Sequence, residues 1–286
     1  MVFDYHTLRN WPIPEIERHY TERDTILYAL GIGLGQNPCD KNQLRFVLED
    51  RLQALPSMGC VLAYPCTWFS DPATEIDFTK VVHAELGFVN HRPLPVKGTV
   101  IGKTRVTGIF DKGPAVGALL QTECQVVDQS DGLPVCSITS ASMARGNGGF
   151  GGGDIQRRFA LSVPDRSPDA MCDISTLPQA ALLYRLSGDD NPLHADPERA
   201  LAAGFQRPIL HGRCSFGIAA WAIMKLACQY DPSRLQRMSA RFSAPVYPGE
   251  TLRTEIWQQG EQVIFRTAVK ERGVLALTHG IAQVQT

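Results

Sequence analysis

The segment Arg145-Gly-Asn-Gly-Gly-Phe-Gly-Gly-Gly153 packs six glycines into nine residues near the middle of a 286-residue chain. Glycine gives the backbone too much freedom to hold a regular element, so this stretch reads as a loop or linker. A break there leaves parts of similar length, 1–150 and 151–286, in line with the two domains that such a length commonly forms. It also prompts a search for an internal repeat. Ile26-Leu-Tyr28-Ala-Leu30 matches Leu182-Leu-Tyr184-Arg-Leu186, with the tyrosines 156 positions apart. Phe88-Val-Asn-His-Arg-Pro93-Leu94, followed by Gly98-Thr-Val100, parallels Phe242-Ser-Ala-Pro245-Val246, followed by Gly249-Glu-Thr-Leu252, with the prolines 152 apart. Similar order at similar offset predicts two copies of one fold.

The second part shows what that fold is. Pro178 to Leu186 is apolar at helical spacing. Asp196-Pro-Glu198 supplies a cap, a first-turn proline and an acid at the positive helix end, and Gly204 suits the stop. Gly212 to Tyr230 sets Phe216, Ala219, Ala220, Ile223, Leu226 and Ala227 on one face of a long, mostly apolar helix. Strand-like runs follow at 238–246, 251–258, 262–269 and 274–284, with turn signals at Tyr247-Pro-Gly249 and Glu271-Arg-Gly273. One long helix followed by consecutive strands predicts an α+β plan, an antiparallel sheet wrapped on a helix. The first part has matching runs at 81–89, 99–110, 115–127 and 134–144. Its helix is expected to be incomplete, because Pro56, Gly59 and Pro65 interrupt the stretch after Leu48.

Charge narrows the partners. Lys and Arg number 28 against 29 Asp and Glu, a formal charge of -1, without the cationic surplus that nucleic acid or an anionic membrane surface demands. With 44% hydrophobic and 20% charged residues, a disordered chain is not expected; a soluble protein acting on a small molecule is. Met1-Val-Phe-Asp-Tyr-His6 lacks a signal-peptide pattern, no run of about 18 apolar residues offers a membrane span, and Gln283-Val-Gln-Thr286 is not a Ser-Lys-Leu address. Cys39, Cys60, Cys66, Cys124, Cys136, Cys172, Cys214 and Cys228 form no Cys-x-x-Cys pair and read as reduced thiols. The expected location is the cytoplasm.

Several motifs fail on inspection. Gly98-Thr-Val-Ile-Gly102-Lys-Thr104 is one residue short of a phosphate-binding loop and lies in a strand-like run. Gly31-Ile-Gly33-Leu-Gly35 lacks the dinucleotide spacing, no Gly-x-Ser-x-Gly elbow occurs, and the histidines have no metal-ligand spacing with cysteine. No metal and no separate cofactor are therefore expected.

One segment stands apart: Tyr184-Arg-Leu-Ser-Gly188-Asp189-Asp-Asn191-Pro192-Leu193-His194. It places a carboxylate, an amide and an imidazole within six residues, and the proline prevents continuous helix. An irregular turn can aim Asp189, Asn191 and His194 at one point, where carboxylate and imidazole form an acid–base pair and the amide orients a water. Asp-Asn-Pro is also ordinary turn chemistry, so these residues alone leave an Asx-turn with a solvated His194 open.

Gly188-Asp189-x-Asn191-Pro192-Leu193-His194, with Tyr184 before it and Ala200 after it, resembles the signature of the MaoC-like, or type 2, R-specific enoyl-CoA hydratases. Pro208-Ile-Leu-His211-Gly212 and Phe242-Ser-Ala-Pro-Val-Tyr-Pro-Gly249-Glu-Thr are similar to later segments of that family. His83-Ala84-Glu85, Asp111-Lys112-Gly113 and Gly148-Gly-Phe-Gly151 resemble the N-terminal part of its two-copy members, which more often carry Gly where Ala84 stands. The likeness spans roughly residues 20–286.

The resemblance implies a double hot-dog fold, two antiparallel sheets each wrapped on a helix. It implies reversible syn addition of water to a trans-2-enoyl-CoA, giving a (3R)-3-hydroxyacyl-CoA. Asp189 and His194 would activate the water, Asn191 would help position it, and the Gly212 N–H would polarise the thioester carbonyl. That last role has independent sense, because Gly212 opens the long helix, where N–H groups lack intrahelical partners and the dipole is positive. His83, Ala84, Lys112 and Phe242 would contact CoA, with Arg145 a weaker candidate. Lys112 suits a phosphate, although Asp-Lys-Gly is also a common hairpin turn. Aligning Tyr28 on Tyr184 sets Gly33 opposite Asp189 and no histidine opposite His194, so the first copy is expected to shape the acyl tunnel without catalysing. Its interrupted helix would admit medium-to-long or bulky chains. A thioesterase on the same fold and a non-catalytic acyl-CoA binder are the alternatives, and a homodimer is expected because sheet edges tend to pair.

Overall fold

In the computed structural model, which describes residues 4–63, 68–154 and 162–285, the described strands share one antiparallel sheet. They are β1 (Ile16–Tyr20), β2 (Val81–Asn90), β3 (Gly98–Asp111), β4 (Ala118–Asp128), β5 (Pro134–Ala144), β6 (Ala170–Ser175), β7 (Leu235–Phe242), β8 (Thr251–Gln259), β9 (Gln262–Val269) and β10 (Val274–Val284). Their order is β1-β3-β4-β5-β2-β7-β10-β9-β8-β6. Read outward from the centre, the second half repeats the order of the first. The repeat seen in the sequence is therefore a repeat of topology.

The expectation of two separate sheets needs correction. β2 and β7 pair directly, from Glu85 opposite Arg241 to Val89 opposite Arg237, and merge both halves into one sheet. Each strand would otherwise be an edge with unpaired N–H and C=O groups, and joining them satisfies both. Arg241 Nε donates to Glu85 Oε1 at 2.7 Å across this seam.

The helices are α1 (Tyr5–Arg9), α2 (Glu22–Gly31), α3 (Lys41–Leu44), α4 (Gly59–Leu62), α5 (Ala180–Tyr184), α6 (Pro197–Ala202) and α7 (Gly212–Ala227). Every residue of α7 from Arg213 to Met224 is buried. Such a helix is held by packing on all sides, and Phe216 meets Phe88 of β2 edge to face at 6.0 Å. Among the described residues the first half has no equivalent. Where α7 would recur stand a 3-10 turn at Pro56–Met58 and the single turn of α4, as the prolines and glycine there predict. Pro65 and Cys66 lie outside the described residues. The shortened helix leaves only a narrow cavity of about 20 Å³ between α4 and strands β4 and β5, lined by Cys60, Ala63, Cys124, Val126, Ile138 and Arg213 among others.

The repeat-related tyrosines meet. Tyr28 of α2 and Tyr184 of α5 are 1% and 0% exposed, with ring centroids 6.0 Å apart. The chain after Tyr184 thus departs from a rigid point in the core. All described cysteines except Cys39 are buried free thiols.

Candidate active site

The Asp189 loop is built from local stops. α5 gives way to a 3-10 turn at Arg185–Ser187, and Gly188 (φ 117°) takes the left-handed conformation that lets the chain turn out. Asn191 then caps the next 3-10 turn, Pro192–His194, its Oδ1 accepting from the Leu193 N–H at 3.0 Å. Asp196 caps α6 by accepting from the Glu198 N–H at 2.8 Å. These caps fix the chain on both sides of His194.

His194 Nδ1 lies 2.8 Å from the carbonyl oxygen of Ile209. A carbonyl only accepts, so Nδ1 carries the proton and Nε2 of the neutral ring carries a lone pair. Burial holds His194 below its ordinary range, against the Ile209 hydrogen bond and the Asp189 charge, which favour protonation. The ring is therefore neutral at pH 7 and able to accept a proton. A carboxylate oxygen of Asp189 and ring nitrogens of His194 and His211 lie within 4.8 Å of one another. The acid and base separated by five residues in sequence do meet.

His211 is the residue that sequence reasoning missed; it entered only as part of Pro208–Gly212. It is 0% exposed, its ring stacks on His194 at 3.8 Å, and its Nε2–H donates to the backbone carbonyl of Asp189 at 3.0 Å. Burial first, then the neighbouring His194, push it down to about 3. The unfolded chain binds that proton near 6.5, so between about 3 and 6.5 the unfolded state holds more protons. Stability is then full above 6.5 and is lost as pH falls. We expect the urea midpoint to drop from pH 7 to pH 4.5, with a shallower drop in His211→Asn; equal slopes would contradict this assignment.

Gly212 opens α7, directly after His211, whose extended backbone (ψ 134°) forms the N-cap. A Cβ at Gly212 would come within 3.1 Å of the Phe242 ring. Phe242 in turn lies 4.7 Å from His83, whose Nε2 pairs with Ser140 Oγ at 2.9 Å. Burial and the Arg213 guanidinium hold His83 well below its usual range. One continuous line of contacts thus runs His194–His211–Gly212–Phe242–His83. It joins residues of both halves across the β2–β7 seam.

Ala84 sits at the register shift between His83 and Glu85 and packs with Met143 on the cluster of Phe110, Leu119 and Ala141. Lys112 lies over the Phe110 ring at 5.5 Å and donates its backbone N–H to Gly117 in the β3–β4 turn. Its hairpin role is thus observed, and the same turn carries its ammonium to the patch that Ala84 borders. The Asp111 carboxylate accepts from the N–H groups of Gly113, Gly149 and Gly151, which ties the glycine-rich segment to this turn. Arg145 is exposed.

Asp189, His194 and His211 resemble a metal-ligand set in composition. Their two rings, however, are stacked with planes only 29° apart, which turns the in-plane lone pairs side by side instead of toward one ion. The donor set fits acid–base chemistry better than coordination. In the first half, Gly33 (φ 98°) is the residue aligned with Asp189 when Tyr28 is set on Tyr184, and no histidine is aligned with His194.

Comparison with known proteins places the chain in a family. The family described as MaoC like domain matches residues 160–279, and the MFE-2 hydratase 2 N-terminal domain matches 19–146. "Enoyl-CoA hydratase 2, peroxisomal" of Arabidopsis thaliana is 40% identical over 93% of this chain and 90% of its own length. A crystal structure of a MaoC-like dehydratase from Phytophthora capsici superposes with a TM-score of 0.87 at 34% identity, covering 99% of both chains. A Mycobacterium tuberculosis protein described as having a double hot-dog fold gives a TM-score of 0.58 at 15% identity, over 97% of this chain and 95% of its own, a likeness of fold alone.

Proposed function

The chain belongs to the MaoC-like dehydratase family, and we propose on that premise that it reversibly hydrates a trans-2-enoyl-CoA to the (3R)-3-hydroxyacyl-CoA. The observation that carries this reading is the neutral His194, its Nδ1–H held by Ile209, beside the Asp189 carboxylate. Of the water's two protons, His194 takes one, and the Asp189 carboxylate accepts a hydrogen bond from the other, which stays on the product hydroxyl. As the water oxygen attacks the β-carbon, His194 Nε2 takes one proton and the π electrons move toward the thioester oxygen. The Gly212 N–H, at the positive end of α7, stabilises that enolate charge. The imidazolium then returns the proton to the α-carbon from the same side, which gives syn addition. Hydroxyl and hydrogen have been added, and no electrons pass to an acceptor. Hence we propose no cofactor apart from the CoA of the substrate.

For CoA, His83 and Phe242 beside Gly212 suit the thioester end, and Lys112 with Ala84 at the Phe110 patch suits the phosphate end. Lys112→Ala is expected to raise KM about 5-fold, the scale of one exposed charge contact, with kcat nearly unchanged and the difference shrinking in salt. Equal KM values would remove Lys112 from the site. The single turn of α4 that stands where α7 would recur is our ground for proposing medium-to-long or bulky acyl chains. Steady-state kinetics should give decenoyl-CoA a kcat/KM at least equal to that of crotonyl-CoA, and strong preference for crotonyl-CoA would exclude this reading of the first half.

Among the described residues no helix is long and apolar enough to cross a membrane. We place the protein in the cytoplasm, where its free cysteines stay reduced; the Arabidopsis relative is named peroxisomal, so cell fractionation is the test. We also propose a homodimer through the outer strands β1 and β6, since β2 and β7 already cover one another. Light scattering should give twice the 31.5 kDa chain mass.

A further inference from the structure

We propose that His211 is a positioning residue for this reaction: one nitrogen holds the Asp189 turn, and its flat contact covers one face of the His194 ring, keeping that ring neutral between turnovers without taking its proton. The proposal rests on the hydratase reading of the site. His211 is itself unable to drift. Its carbonyl accepts the Ser215 N–H at 3.1 Å, which anchors it to α7, and its ring is held between Tyr184 at 5.0 Å and His194 at 3.8 Å. From that fixed place Nε2–H reaches back 22 residues to the Asp189 carbonyl. The oxyanion donor and the carboxylate are thereby tied through a single side chain.

The second function is electrostatic. His194 is faced by the Asp189 carboxylate from its own loop and by His211 from the start of α7; His211 is faced by Arg185 from the turn after α5. Two protonated rings 3.8 Å apart repel strongly in a buried setting. Asp189 favours the charge on His194, whereas burial and Arg185 disfavour it on His211. His211 Nδ1 is buried without a hydrogen-bond partner, so the proton finds no onward route through this ring. A proton taken from water stays on His194, beside the carbon that receives it.

The two roles separate by substitution. His211→Phe keeps a flat ring on His194 but loses the Nε2–H donor; His211→Gln keeps a donor but loses the flat ring. His194 is titrated by imidazole NMR without substrate, and kcat and KM are measured over pH on enoyl-CoA. In His211→Gln, His194 is expected to titrate closer to 6.5, and the acid limb of kcat moves with it. In His211→Phe, kcat falls about 100-fold, the scale of a misplaced catalytic group, with KM nearly constant. If near-ultraviolet circular dichroism shows a lost fold, His211→Asn replaces the Gln variant and His211→Leu, which also lacks the donor, replaces the Phe variant for the kcat reading. The NMR arm needs no turnover, so it stands even if hydration is not the reaction. An unmoved His194 titration together with wild-type kcat in the Phe variant overturns the proposal.

Discussion

Replacing His194 by Gln lowers hydration of a trans-2-enoyl-CoA by about 100- to 10,000-fold, the usual weight of a lost acid–base group. The size of the effect follows from what Gln retains. Its amide is of similar length and fills the space of the buried ring, and the Asn191 and Asp196 caps still fix the chain on both sides. It has no basic nitrogen, however, and cannot accept a proton from water. Asp189→Asn should fall in the same range, because it removes the other acceptor and leaves the backbone carbonyl that His211 grips. Because the two side chains serve one water, the double variant should lose little more than either single one. Near wild-type turnover in a folded single variant would remove the pair from the mechanism.

The second large effect concerns a backbone atom. Gly212→Pro deletes the N–H that is assigned to the enolate oxygen, and its position makes the substitution tolerable. Gly212 is the first residue of α7, where proline fits a helix, and His211 already has the extended ψ of 134° that proline demands of its predecessor. A new Cβ must press on Phe242, which lies 3.1 Å from it. Gly212→Ala brings the same Cβ and keeps the N–H. We expect the proline variant to lose about 100- to 1,000-fold in kcat relative to the alanine variant, the weight of one oxyanion donor. Equal kcat in the two would show that glycine serves only the packing against Phe242.

Much of the fold could be read because its signals are local. Strands β5, β9 and β10 match their expected limits, each bounded by turn residues such as Gly260 and Gly273, both at positive φ. The strand read to residue 246 ends at Phe242, just before a run that contains Pro245. The run read from residue 115 begins only at Ala118, because Gly113 and Gly117 form the hairpin bend. Helix α5 stops at Tyr184, short of Leu186, where the chain tightens into the 3-10 turn. β1, where Glu17, Arg18 and His19 are polar in succession, and the six-residue β6, where Ala170, Met171 and Cys172 are apolar in succession, lack the alternation that marks a strand and lie at the sheet's outer edges.

The joining of two sheets into one was hidden for a different reason. No local pattern announces that Glu85 will face Arg241, since that contact depends on how the two halves of the chain meet. The site divides in the same way. Asp189 and His194 share one turn and were visible together, whereas His211 acts on a carbonyl 22 residues away and on a ring it meets only in the folded chain. Its one sequence signal is its place immediately before the glycine that opens a long helix.

The most direct test follows purified wild-type protein with decenoyl-CoA, recording loss of the enoyl thioester absorbance, release of CoA thiol, and the product's oxidation by (3R)- or (3S)-specific dehydrogenases. The acid–base pair at Asp189 and His194 predicts loss of the enoyl absorbance, no free thiol and a product accepted only by the (3R)-specific enzyme. Thiol release without hydration, or ligand binding with unchanged absorbance, would contradict it.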